Sequence, residues 1–119
     1  MSLEDRVLDK INMLVQTDML DKKYKEKSLK VYEWLKKEYD CVDVSSTFIA
    51  HIALFYQRVD LDQQIDTYQG THIMPLDASQ IEQRDKILHH ITLYIKKDIT
   101  EAEIEYLLIY ITGFLFDNL

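Results

Sequence analysis

The sequence is poor in the residues that interrupt regular structure: its 119 residues include two glycines, one proline and one cysteine. Strands in a many-stranded domain are joined by frequent turns rich in glycine and proline, so this scarcity argues against a β-rich fold. A lone cysteine, Cys41, excludes an internal disulfide framework and a thiolate metal cluster, which fits a reducing compartment. We interpret Cys41 as a small structural residue rather than a nucleophile.

Long uncharged apolar runs are also lacking. No stretch approaches the roughly 20 apolar residues of a membrane span, and no charged leader followed by an apolar core and a cleavage site opens the chain. The formal net charge is −7, from 14 basic and 21 acidic residues, so the chain as a whole repels phosphate backbones. We therefore expect a cytoplasmic protein that contacts neither membrane nor nucleic acid directly.

Apolar residues at spacings of three and four predict an all-α fold, a compact five-helix bundle that forms a single domain over residues 1–119. The predicted helices begin at residues 3, 21, 45, 77 and 100, and the first four end near residues 17, 38, 59 and 97. Asp77 with Gln80, and Thr100 with Glu103, have the spacing of capping boxes. Residues 60–76 lack a consistent apolar face and are predicted to form a long loop.

Two predicted helices have unusual surfaces. The second is rich in lysine, which is typical of a solvated face and also suits an anionic partner; these residues are Lys22, Lys23, Lys25, Lys27, Lys30, Lys36 and Lys37. The last helix is apolar on almost every side between Tyr106 and Phe116. Such a helix is either central in a bundle or covered by a second copy of the chain, and we expect a homodimer.

The third predicted helix contains a histidine at the edge of an apolar stripe. The stripe is formed by Phe48, Ile52, Phe55 and Val59. His51 lies beside it, and Arg58 lies two turns further on, on roughly the same side. From residue types alone, His51 is a boundary residue whose ring packs and whose nitrogens form hydrogen bonds. Arg58 is then a cation that offsets the dipole at the C-terminus of the helix.

The stretch from Ala50 to Arg58 has a small residue, a histidine, an apolar run and an arginine seven residues after the histidine. It resembles the first histidine motif of the PTS regulation domain. Members of this family are all-helical modules of bacterial transcription antiterminators and activators, phosphorylated on histidine by components of the sugar phosphotransferase system. The resemblance implies that His51 is a phosphoacceptor and that Arg58 is its motif partner, placed to pair with the phosphate.

The stretch from Glu103 to Tyr110 is similar to the second histidine motif of that family, but Tyr110 stands where the histidine would be. A tyrosine is a poor phosphoryl relay at neutral pH because its unperturbed pKa is about 10, whereas that of histidine is about 6.5. The resemblance therefore implies one phosphoacceptor, His51, and a missing second one.

The implied function is that of a stand-alone regulator without a cofactor and without enzymatic activity. Its expected partners are a phosphohistidine carrier protein or a sugar-specific phosphotransferase component, and an unknown regulated protein or operon. One alternative is a helical adaptor of the same fold that accepts no phosphate.

A second alternative is a small metal-dependent bundle enzyme that uses Glu82, Asp85 and His89, which share one side of the fourth predicted helix. A metal site in a bundle needs matching ligands on a facing helix, and the sequence offers none. A solvated helix face is the simpler interpretation of these three residues.

Overall fold

Five α-helices contain most of the residues that the computed structural model describes, which are residues 3–39, 44–65, 76–93 and 95–118. In chain order these helices are α1 (Leu3–Gln16), α2 (Lys22–Tyr39), α3 (Ser46–Asp60), α4 (Ala78–Thr92) and α5 (Glu101–Asn118). No strand occurs in these ranges, so the prediction of an all-α fold with five helices is confirmed for them. Cys41 and residues 66–75 of the predicted loop lie outside the described residues.

The centre of the molecule is α3, which packs against α1, α2 and α5, while α4 packs against α5. Seven of its residues are buried: Phe48, Ile49, Ala50, Ile52, Ala53, Phe55 and Val59. The predicted stripe is therefore confirmed as core, and it is widened by small alanines that let the neighbouring helices approach. His51 lies between two of these buried residues and is itself only half-buried.

Helix α1 ends as its sequence predicts, just before Thr17, by means of a left-handed residue. Asp18 has a φ of 60°. Its N–H donates to the carbonyl of Val15 at 3.2 Å, and the N–H of Met19 donates to the carbonyl of Leu14 at 3.0 Å. This pair of bonds is the Schellman arrangement, which satisfies carbonyls that the helix leaves open.

Helix α3 ends in the same way, and this ending places Arg58 in its last turn. Asp62 has a φ of 55°. The N–H of Asp62 donates to the carbonyl of Val59 at 3.3 Å, and the N–H of Gln63 donates to the carbonyl of Arg58 at 2.8 Å. The backbone of Arg58 is thus fixed at the end of the central helix.

The start of α3 and the start of α4 are defined by side-chain caps. Ser45 has extended backbone angles, and its hydroxyl oxygen accepts a hydrogen bond from the N–H of Thr47, so Ser45 is the N-cap of α3. Asp77 caps α4: its carboxylate accepts from the N–H of Gln80 at 2.8 Å, and the Gln80 side chain accepts from the N–H of Asp77 at 3.0 Å. The predicted capping box is confirmed.

The predicted end of α4 near Lys97 is wrong, because the helix ends five residues earlier, at Thr92. The Thr92 hydroxyl donates to the carbonyl of Leu88 at 2.9 Å, within the last turn. Beyond the helix, the ammonium of Lys97 donates to the carbonyl of Asp60 at 2.8 Å. The segment after α4 is therefore attached to the end of α3.

Candidate functional site

The half-buried ring of His51 faces two tyrosines of α5. Its Nδ1 lies 3.0 Å from the hydroxyl oxygen of Tyr106, and its Nε2 lies 2.8 Å from that of Tyr110. The two tyrosine oxygens lie 3.4 Å apart. Tyr106 and Tyr110 are four residues apart, so they project from the same face of α5 and approach one imidazole together. The three side chains form a closed cluster, which we call the His51–tyrosine cluster.

Hydrogen bonding within this cluster has two possible directions. A neutral imidazole has one N–H donor and one acceptor nitrogen, so one tyrosine donates to the ring and the other accepts from it. The close approach of the two hydroxyls completes a ring of donors and acceptors in either direction. Ring packing supports the same arrangement, because the centroids of His51 and Tyr110 are 4.3 Å apart and those of His51 and Tyr106 are 5.4 Å apart.

The surroundings of His51 favour its neutral form. Burial is the main cause, and the positive charges of Arg58 and Lys10 act in the same direction, so that the pKa of His51 lies below its usual value. A neutral imidazole keeps a lone pair on one nitrogen, which is the form in which histidine acts as a nucleophile. Around neutral pH, His51 is therefore an uncharged ring with both nitrogens hydrogen-bonded to hydroxyl groups.

Arg58, the predicted partner of the phosphate, is bound to a carboxylate of α5. Its Nε lies 3.1 Å from Oε2 of Glu103, and its Nη2 lies 3.0 Å from Oε1. The Glu103 side chain is fully buried, whereas that of Arg58 retains 22% of its exposure. The guanidinium also lies 5.7 Å from the ring centre of Tyr106. This bidentate ion pair fixes α5 against α3 and so helps to place the tyrosines beside His51.

The start of α5 shows why Glu103 turns towards Arg58. The N–H of Glu103 donates to Oγ1 of Thr100 at 3.2 Å, which is one half of the predicted capping box. In the other half, a capping box would use the Glu103 carboxylate as acceptor for the N–H of Thr100. That N–H instead donates to Oε1 of Gln64 at 2.9 Å. The carboxylate of Glu103 is thereby left to pair with the arginine.

Four residues around the site make contacts or have effects that the sequence pattern did not predict. Glu103 pairs with Arg58 across 45 positions of sequence, and no local pattern indicates such a partner. Tyr106 and Tyr110 share a helix face, which is visible in the sequence, but the residue that they contact is not. Lys10, on α1, affects the pKa of His51 only because α1 packs against α3.

The residues of the metal-site alternative lie on a solvated face. Glu82, Asp85 and His89 are exposed on α4. Asp85 accepts hydrogen bonds from Arg84, at 3.1 Å from Nε and 3.0 Å from Nη2. Within the described ranges, no group of three or more histidine, cysteine, aspartate or glutamate side chains is arranged to hold a metal ion. These observations favour the solvated face over a ligand set.

Across the part of the chain that the structure describes, no helix combines the length and the apolar character needed to cross a membrane. Comparison of the chain with protein-family profiles, with curated proteins and with solved structures returned no match.

Proposed function

We propose that this protein is a regulator with a fold like that of the PTS regulation domain, phosphorylated on His51 by a phosphohistidine carrier protein or a sugar-specific phosphotransferase component. The observation that carries the proposal is the 2.8 Å contact between His51 and Tyr110. In the sequence, these residues stand at the two histidine positions of the resemblance, 59 residues apart. Their contact supports the idea that both positions belong to one site.

The proposed reaction moves a phosphoryl group between two imidazoles. The lone pair of the unprotonated nitrogen of His51 forms a bond to phosphorus as the phosphorus–nitrogen bond of the donor breaks. The proton lost from the other nitrogen of His51 ends on the donor ring, so charge and atoms balance. The neutral state of His51 suits this role, because a protonated imidazole has no lone pair to offer.

Phosphorylation adds up to about two negative charges and three acceptor oxygens at a site now held by hydroxyl groups. The phosphoryl group has to replace one of the tyrosine contacts at the ring. Lys10 and Arg58 are the cations whose charges act on His51. Arg58 can turn to the phosphate only by loosening its contact with Glu103, which would leave a buried carboxylate without its partner. This exchange of partners is the proposed route from phosphorylation to a change in helix packing and regulatory output.

The test is labelling with phosphoenolpyruvate, the general phosphotransferase proteins, a panel of sugar-specific components and radioactive phosphate. We expect acid-labile label on the wild-type chain and none on His51→Gln. The matched control is His90→Gln, another half-buried histidine, which should keep the label. Absence of label from the wild type with every donor, or equal label on His51→Gln, would reject the proposal.

One variant tests the role of the tyrosine at the second motif position. Tyr110→Phe removes the hydroxyl that contacts Nε2 of His51 while keeping the ring that packs at 4.3 Å. We expect faster labelling of His51, because the incoming phosphoryl group no longer competes with that hydroxyl. Labelling at the wild-type rate would show that Tyr110 does not limit access to the imidazole.

A second candidate function is an adaptor of the same fold that accepts no phosphate. The observation that favours it is the occupation of both imidazole nitrogens and of the guanidinium by groups of the same chain. An adaptor would use the cluster only to hold α3 against α5. The labelling experiment separates the two functions, since an adaptor acquires no acid-labile phosphate in the presence of any donor.

A homodimer is the proposed assembly for either function. Phe116 of α5 is 41% exposed, and Gly113 of the same helix is exposed as well. A second copy placed on this face would remove the phenylalanine ring from water. Sedimentation equilibrium tests this: we expect a dimer for the wild type and a shift towards monomer for Phe116→Asp. A wild type that stays monomeric at about millimolar concentration would remove the dimer from the proposal.

A further inference from the structure

Helices α2 and α4 are separated by a cleft of about 400 Å³, and none of its lining residues belongs to the His51–tyrosine cluster. Its floor is apolar and is formed by Val31 of α2, Ile91 of α4 and Ile95 of the following segment. The ring of Tyr56, from α3, closes the inner end. Sites for small molecules have volumes of about 300–1,000 Å³ and predominantly apolar linings, and this cleft meets both conditions.

Contacts between the helices fix the walls of the cleft relative to each other. Trp34 of α2 stacks on His90 of α4 with ring centroids 3.9 Å apart and an angle of 8° between the planes. The hydroxyl of Tyr39 donates to Oε1 of Gln83 at 2.8 Å, which also joins α2 to α4. At the inner end, the hydroxyl of Tyr56 donates to the carbonyl of Ile91 at 2.6 Å. The walls are therefore attached to each other at several points, and the space between them is a formed feature of the fold.

Lysines surround the mouth of the cleft. Lys27 and Lys30 line it from α2. The ammonium of Lys27 lies 5.9 Å from the ring centre of Tyr56 and 6.0 Å from that of Tyr24, so it lies near two aromatic rings. Within residues 3–39, 44–65, 76–93 and 95–118, neither Lys27 nor Lys30 forms an ion pair with a carboxylate.

A second depression continues the cleft towards the end of α3. It has a volume of about 240 Å³, shares Lys27, Tyr56 and Ile95 with the first, and adds Lys96, Lys97 and the carboxylate of Asp60. Asp60 is itself paired with the ammonium of Lys23, at 3.7 Å. Lys97 is already bound to Asp62 at 3.2 Å, which leaves Lys96 as the added cation. Positive charge thus gathers around one apolar opening in a chain whose formal net charge is −7.

We propose that this cleft binds a small amphipathic organic anion, with its apolar body on Val31, Ile91 and Ile95 and its acidic group at Lys27 and Lys30. The apolar floor selects against inorganic phosphate and bare sugar phosphates, which have no hydrophobic part to bury. The ammonium groups select against neutral apolar molecules, because a charged partner gains electrostatic attraction at this rim. The site does not use His51, and it goes beyond the proposed phosphorylation.

The test uses 8-anilinonaphthalene-1-sulfonate, an aromatic anion whose fluorescence reports binding, on the folded full chain. We expect a one-to-one complex, with amide chemical-shift changes in nuclear magnetic resonance spectra that centre on Val31, Tyr56 and Ile91. The uncharged analogue N-phenyl-1-naphthylamine should bind at least about tenfold more weakly, a difference of about 1.4 kcal/mol. Millimolar inorganic phosphate should not displace the probe.

Paired charge reversals locate the anion. Lys27→Glu with Lys30→Glu should weaken binding of the sulfonate at least about tenfold, because the rim changes from attraction to repulsion. Lys22→Glu with Lys37→Glu changes the net charge equally at exposed positions of α2 outside the cleft and should change affinity less than about twofold. Equal loss in the two double variants or equal affinity for the neutral analogue would overturn the proposal. So would shift changes centred on Ile109 and Phe114 of α5, which line a different pocket.

Discussion

The polar groups around His51 are paired with other groups of the protein, whereas the lysines of the α2–α4 cleft are exposed to water. At His51, both ring nitrogens contact tyrosine hydroxyls, and nearby Arg58 is bound by a carboxylate that is fully buried. At the cleft, Lys27 and Lys30 stay in water and form no ion pair within the described ranges. The difference follows from burial. Removing a polar group from water destabilises the folded protein unless another group replaces the lost hydrogen bonds, whereas an exposed ammonium keeps its hydration.

This difference determines what each region can do when a ligand or a phosphoryl group arrives. Under the proposed phosphorylation, a phosphoryl group at His51 would replace a hydroxyl contact, and its arrival would change bonds between α3 and α5. An anion at the cleft displaces only water from the lysines and the apolar floor. The first region is suited to converting a chemical event into a change of packing, and the second to binding without one.

The largest effect is expected from breaking the internal pairing near His51. Arg58→Met keeps the volume and stem of the side chain but leaves the buried carboxylate of Glu103 without a cation. We expect the free energy of unfolding to fall by about 3 kcal/mol, the lower end of the range for a buried pair with one partner removed, because Arg58 keeps some solvent contact. Urea unfolding measures this loss.

Two further variants show whether the loss comes from the unpaired carboxylate. Arg58→Met combined with Glu103→Leu should recover most of the stability, since no buried charge remains. Arg84→Met breaks an exposed pair with Asp85, 3.0 Å long, and should cost less than about 1 kcal/mol. Similar losses for Arg58→Met and Arg84→Met would show that the ion pair near His51 is no stronger than a surface pair.

The elements of the fold were largely accessible from the sequence, because they depend on local patterns. Apolar spacing located all five helices, and the Asp77–Gln80 box and the Ser45 cap fixed two starts within a residue. The predicted end of α4 was five residues too late. Ile95 continues the apolar pattern, but its side chain lines the cleft from a segment that is not helical. Periodicity reports which residues are buried, and a segment can be buried without being helical.

The candidate site was only partly accessible, because its contacts join distant parts of the chain. The position of His51 on the edge of the central helix follows from spacing. The contacts with Tyr106 and Tyr110 depend on how α5 is rotated against α3, and the pairing of Arg58 with Glu103 depends on which carboxylate that rotation brings near. A single sequence determines neither, since side chains on one helix face are compatible with many partners.

The second-largest loss of stability is expected from a change in the wall of the α2–α4 cleft. Trp34→Ala removes the ring that stacks on His90 at 3.9 Å and approaches Tyr39 edge-on at 6.4 Å. We expect the free energy of unfolding to fall by about 2 kcal/mol, less than for a fully buried tryptophan because Trp34 is partly exposed. Trp34→Phe should recover part of this loss.

The same variant shows whether the two regions are independent. If they are, Trp34→Ala weakens binding of the aromatic sulfonate but leaves the imidazole resonances of His51 at their wild-type positions. Thermal unfolding gives the stability, and nuclear magnetic resonance of the histidine rings gives the local environment. A shift of the His51 resonances in Trp34→Ala would show that the cleft and the His51–tyrosine cluster are coupled through α3.

The smallest effect concerns the pH dependence of stability. Because burial, Arg58 and Lys10 lower the pKa of His51, the unfolded chain binds a proton at about pH 6.5 that the folded chain accepts only at lower pH. The stabilisation that the neutral His51 gives the folded protein is therefore complete above about pH 6.5, and it is lost as pH falls towards the lowered pKa of the folded state. One histidine changes the free energy of unfolding by at most about 1.4 kcal/mol per pH unit in that interval.

His51→Gln keeps a polar side chain at this position and removes the titrating group, so its unfolding free energy should decrease less steeply than that of the wild type as pH falls below about 6.5. His90→Gln is the informative comparison. Burial and His89 lower the pKa of His90 as well, but the negative charge of Glu38 opposes them. Replacing His90 should therefore flatten the pH dependence of the unfolding free energy less than replacing His51. Identical slopes for the wild type and His51→Gln would mean that the imidazole is protonated as easily in the folded protein as in the unfolded chain, and the closed surroundings of His51 would then have no electrostatic consequence.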